Sequence, residues 1–72
     1  MTINSTTAEK LANLNVNLEI TANSGFTSTT VEKLVKIVTS KNLHITIHAG
    51  NYTSTSLEKF AKIDGSNVTI VL

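Results

Sequence analysis

One phrase is written three times along this chain. "INSTTAEKL" spans 3–11, "FTSTTVEKL" spans 26–34 and "YTSTSLEKF" spans 52–60. Aligned, the phrases put Thr6, Thr29 and Thr55 in one column, 23 and 26 residues apart (29 − 6 and 55 − 29). Self-similarity at such a period marks a single supersecondary unit used repeatedly, and it restricts the fold more than any bulk property does. Each Thr is followed three places on by Glu9, Glu32 or Glu58, and then by Lys10, Lys33 or Lys59. T-x-x-E has the form of a capping box, in which the Thr hydroxyl and the Glu side chain satisfy free amides of the first helical turn. The pattern predicts three helix starts capped by Thr6, Thr29 and Thr55, with each Glu beside the positive end of its helix.

Apolar residues with helical spacing follow each phrase start. They are Ala8, Leu11, Ala12 and Leu14 in the first unit, and Val31, Leu34, Val35 and Val38 in the second, with Ile37 beside them. The third has Leu57, Phe60, Ala61 and Ile63. Each set predicts a short helix with one buried stripe. Glu32–Lys36 and Glu58–Lys62 are spaced as (i, i+4) pairs on the other side. Strict alternation comes next: Val16, Leu18 and Ile20, then Leu43, Ile45 and Ile47, then Val68, Ile70 and Leu72. A period of two predicts strands with one buried face. Asn15, Asn42 and Asn67 stand before these strands. Asn tolerates the left-handed conformation that ends a helix, so each is expected in a helix-to-strand turn. Ile3, Phe26 and Tyr52 are expected to plug the loops onto the core.

Helix–strand units joined by short loops imply parallel strands with right-handed crossovers. The expected fold class is α/β: three helix–strand repeats forming a short solenoid, with a parallel three-stranded sheet and helices on one face. Residues 1–72 form a single domain, with repeats at about 3–22, 26–49 and 52–72. A sheet covered on both faces would read as continuous Val, Ile and Leu, whereas here the second face carries Asn, Glu, Thr and His. In period and layering the expected shape resembles a short leucine-rich-repeat arc. The motif of that family, L-x-x-L-x-L-x-x-N, is not present, so the resemblance is architectural and implies no function.

Composition narrows the function classes. The formal net charge is +1 and charged residues make up 15% of the chain, which argues against strong attraction to nucleic acid or to anionic membranes. With no Cys there is no disulfide, thiolate nucleophile or sulfur-based zinc site. The opening residues lack the basic start and apolar run of a signal peptide, and no apolar run approaches the roughly 20 residues of a membrane span. The expected compartment is cytoplasmic by default.

The open sheet face holds the candidate ligand contacts: Asn17, Glu19, Thr21, His44, Thr46, His48 and Thr69. The repeat alignment predicts rows of Asn17–His44–Thr69, Glu19–Thr46–Val71 and Thr21–His48. His44 and His48 share one side of a strand four residues apart, about 13 Å at about 3.3 Å per residue, too far to chelate one ion. Glu19 lies diagonal to both. A catalytic triad needs a nucleophile within reach of an oriented base, and 12 Thr in the chain put a hydroxyl near any His by chance. The short loops offer no pocket. Lys10, Lys33, Lys59, Lys36 and Lys62 line a ridge, but the neighbouring Glu residues make it an ordinary solvated face. With Phe26 and Tyr52 used as plugs, no base-stacking platform is left. N-x-T sequons at Asn4, Asn51 and Asn67 are expected by chance in so Asn- and Thr-rich a chain.

These readings describe a small non-catalytic repeat module for protein–protein interaction or self-assembly, a homo-oligomer or a slice of a longer array. It needs no cofactor and no metal, and is not expected to bind nucleic acid or membrane. The candidate self-association edge is Val68, Thr69, Ile70, Val71 and Leu72, where no Pro or Lys blocks strand pairing. The alternative is a ligand-binding module using His44, His48 and Glu19.

Overall fold

The computed structural model describes residues 4–50 and 52–72. Three helices alternate with three strands: α1 (Ser5–Ala12), β1 (Leu18–Ile20), α2 (Ser28–Ser40), β2 (Ile45–His48), α3 (Ser54–Ile63) and β3 (Val68–Val71). The strands form one parallel sheet in the order β1-β2-β3.

Every helix starts two residues earlier than the T-x-x-E reading predicts. The N-caps are Asn4, Thr27 and Thr53, each in extended conformation, accepting from the amides of Thr7, Thr30 and Ser56. Thr6, Thr29 and Thr55 fall inside the first turn, and Glu9, Glu32 and Glu58 in the second, beyond the strongest field of the helix end. The second and fourth residues of the phrase both satisfy the local capping rule. The earlier start wins because it closes further backbone bonds, from Ala8 N to Asn4 O, Val31 N to Thr27 O and Leu57 N to Thr53 O, each 3.0 Å. A hydroxyl pair replaces the Glu of the capping box: Thr27 with Thr30 and Thr53 with Ser56, both at 3.2 Å. Phe26 and Tyr52 then stand immediately before the caps, at the hydrophobic-staple position. Both pack against the core, as expected of plugs. The Tyr52 hydroxyl donates to the Phe26 carbonyl at 2.8 Å, and its ring meets Phe60 edge-on at 5.5 Å. Ile3 lies outside the described residues.

Helix α2 ends as the Asn rule predicts. Asn42 sits at φ 59°, with Asn42 N bonded to Thr39 O and Leu43 N to Val38 O. That pair of bonds is a Schellman motif with Asn in the left-handed position. Asn15, at φ 61°, is likewise left-handed in the turn between α1 and β1. Asn67 does not: its φ is not positive. Asp64 makes that turn instead, accepting from the Ser66 amide at 3.1 Å and from the Asn67 side chain at 3.1 Å.

The core is one cluster between the helices and one sheet face. Leu34, Val31, Val35 and Val38 of α2, Ile45 and Ile47 of β2, and Phe60 of α3 are fully buried. Leu18, Val68 and Ile70 pack against it from the edge strands. The stripes of the outer helices differ from expectation at their ends. Ala61 is exposed, and Leu14 lies beyond the end of α1 and is 65% exposed. Val16 and Leu43 precede their strands, because Asn15 and Asn42 still occupy the turn. Glu32–Lys36 and Glu58–Lys62 do not close; among the described residues the carboxylate contact formed is that of Glu19 with the His48 imidazole. The radius of gyration, 10.8 Å, matches the about 11 Å of a compact domain this long, and the extents are 29 × 29 × 17 Å. Three units make a compact globule, too few to describe the curvature that a solenoid has.

Candidate functional site

Alternation along each strand places Glu19, Thr46, His48 and Thr69 on the sheet face away from the core. The register pairs Glu19 with Thr46 and Thr46 with Thr69, while His48 faces Val71. The expected match of β1 to β2 is therefore correct. Strand β3 is displaced by two residues from the repeat alignment: Thr69 lies opposite Thr46 rather than His44, and Val71 opposite His48 rather than Thr46. Asn67 is not a left-handed turn residue as Asn15 and Asn42 are, so β3 begins one residue after its Asn, where β1 and β2 begin three residues after theirs.

Two diagonal contacts knit this face. His48 Nε2 meets a Glu19 carboxylate oxygen at 2.5 Å, joining β2 to β1. His44 Nε2, just before β2, meets the Thr69 hydroxyl of β3 at 2.6 Å. The two imidazoles have separate partners, as expected from their spacing along the strand. The Glu19 side chain is 60% exposed and that of His48 32%, so their contact lies in water and contributes at most about 1 kcal/mol. Asn17 has a structural role: its side-chain oxygen accepts from the His44 amide at 2.8 Å, starting the β1–β2 ladder. Thr21 is exposed just beyond β1, and its carbonyl accepts from Ser24 N at 3.2 Å. Among the described residues no group of three or more His, Asp or Glu side chains is placed to hold a metal ion.

Concavities lie elsewhere, where short loops had suggested none. One of about 330 Å³ lies between the starts of α2 and α3, with Phe26, Thr27, Tyr52 and Thr53 among its walls. Another of about 490 Å³ lies between the starts of α1 and α2, beside Asn4, Ser5, Ser24 and Thr30. Parallel topology gathers the strand-to-helix loops at one end, and crevices in open α/β sheets form there. The signal was present in the hydroxyl-rich phrases, whose common end only the topology defines. A third, apolar crevice of about 90 Å³ lies between α1 and β1, lined by Ala8, Leu11, Leu18, Glu19, Ile20 and Phe26. Lys10, Lys33, Lys36, Lys59 and Lys62 are all exposed.

Among the described residues, strands β1 and β3 are each paired on one side only. Among the described residues the exposed large hydrophobics are Leu14, Val16, Val71 and Leu72, and every one belongs to the first or third unit. No described helix is long and apolar enough to cross a membrane. No protein-family model, curated protein or solved structure matches the chain, so the site is read from its own chemistry.

Proposed function

We propose that the chain is a short α/β solenoid whose work is assembly: a non-catalytic module that joins protein partners, foremost copies of itself, through the edges of its sheet. The carrying observation is where apolar surface is left uncovered. The middle unit, flanked on both sides, has no large hydrophobic among the exposed ones. The outer units expose Leu14 and Val16 beside β1, and Val71 and Leu72 at β3. An unpaired strand edge with apolar neighbours is a template for another strand. Burying it adds backbone hydrogen bonds and apolar contact without altering the repeat. Sedimentation of the wild-type chain tests this reading. Mass should rise with concentration, and a chain that stays monomeric at high micromolar concentration contradicts it.

A second reading has one observation in its favour. The Glu19–His48 and His44–Thr69 contacts gather carboxylate, imidazole and hydroxyl groups on an exposed face, suited to hydrogen-bond a peptide or a sugar. Imidazole NMR signals of a monomeric variant, titrated with such ligands, test it. Signals that stay in place throughout the titrations count against it.

A further inference from the structure

The hydrogen-bond parity of the strands points to the geometry of the joint, given the assembly reading above. Leu18 N donates to His44 O, Ile45 N to Asn67 O, and Ala49 N to Val71 O. In a parallel ladder one residue sends both its amide and its carbonyl to the same neighbour, and the next residue sends both to the opposite side. With Leu18 opposite Ile45 and Ile45 opposite Val68, one rule holds across both ladders. Core-facing residues turn their backbone groups toward the following strand. Open-face residues turn theirs toward the preceding one. The free edge of β3 therefore presents Val68 and Ile70, and the free edge of β1 presents Glu19. Those are the two halves of the same ladder, set on opposite sides of the molecule.

We infer that copies join head to tail: β3 of one chain pairs in parallel with β1 of the next, repeating the β1–β2 and β2–β3 ladders. The helix layer permits the same translation, because among the described residues α2 packs against both α1 and α3 and stands between them. On α3, Leu57 and Ile63 are only partly buried. They would face the apolar crevice between α1 and β1. Each copy advances the sheet by three strands, about 14 Å at about 4.8 Å per strand. A two-fold joint would instead match an edge with itself, β3 against β3 or β1 against β1, and would close at the dimer. The head-to-tail joint is heterologous and leaves a free edge at each end, so it grows openly.

Blocking one end at a time separates these cases. Val71→Lys with Leu72→Lys charges the β3 end, and Leu14→Lys with Val16→Lys charges the β1 end. All four positions are exposed, so the fold should persist, and far-UV dichroism with a cooperative melt checks that. In sedimentation the wild type should gain mass with concentration and reach no plateau at the dimer. Each blocked variant alone should stay at the 7.7 kDa of one chain. Mixed, the two variants should form a one-to-one complex of twice that mass, because each supplies the end the other lacks. A wild-type plateau at the dimer, with one blocked variant still dimeric and no complex on mixing, overturns the head-to-tail joint and leaves the assembly reading standing. A monomeric wild type overturns both. If the charges leave association intact, Val68→Pro and Thr21→Pro remove outward amides at the two edges. Association that survives these as well overturns an edge joint altogether.

Discussion

Thr27 accepts from the Thr30 amide at 3.3 Å, and Thr53 from the Ser56 amide at 3.2 Å. Removing such a cap costs about 1 kcal/mol, so Thr27→Ala should lower stability by about that much in equilibrium denaturation. Thr29→Ala, inside the first turn and exposed, should change it by less than about 0.5 kcal/mol. The opposite ranking would return the helix start to the T-x-x-E position. Asn42 is a second residue held by backbone geometry. At φ 59° a Cβ-bearing residue without a compact polar side chain is strained by about 1–2 kcal/mol. Asn42→Ala should destabilise by about 1 kcal/mol more than Asn42→Gly, which keeps the left-handed turn. Gly50 is constrained twice: its φ is +50°, and an added Cβ would lie 3.1 Å from the Ala22 carbonyl oxygen. This close approach ties the loop after β2 to the end of β1.

Strand β2 and helix α2 form the middle of the molecule. Ile45 and Ile47 are fully buried, as are Val31, Leu34, Val35 and Val38. Ile45→Ala should cost roughly 2–5 kcal/mol, a large share of what a domain of this size can hold. Denaturation should show its cooperative transition lost or moved to much lower denaturant. A near-native transition would mean that β2 is not the centre of the core. The edge strands should tolerate more, since Leu18, Val68 and Ile70 are only partly buried. The open-face contact between Glu19 and His48 lies largely in water, so Glu19→Gln should shift stability by about 1 kcal/mol or less. That element-level contrast separates the face that holds the fold from the face turned to solvent.

For the whole molecule, stability and assembly are linked. Whatever binds only the folded state raises its apparent stability by mass action. With self-association through the sheet edges, the melting temperature of the wild type should climb with protein concentration. The variants charged at one end should melt at a concentration-independent temperature, and their mixture should recover the dependence. A melting temperature independent of concentration in the wild type would count against association through the edges.

Local physics was written plainly in the residues. The repeated phrase, the period of 3.6 in the helices and the period of two in the strands reported three helix–strand units. They also separated Ile45 and Ile47, on the core side, from His44, Thr46 and His48 on the other. Asn15 and Asn42 announced their turns because a left-handed backbone is a property of one residue and its side chain. Choices between equivalent local solutions were not legible. Thr27 and Thr29 both satisfy the capping rule, and the helix takes the longer start because more backbone bonds close. The register of β3 depends on the Asp64 turn and on packing against β2, so the phrase alignment placed Thr69 beside the wrong row. The clefts at the helix starts exist because parallel pairing brings distant loops to one end of the sheet. Sequence alone determined the units and their buried faces, since propensity and alternation act over a few residues. Tertiary structure decided the register and the common end of the loops, since each depends on how segments tens of residues apart are brought side by side.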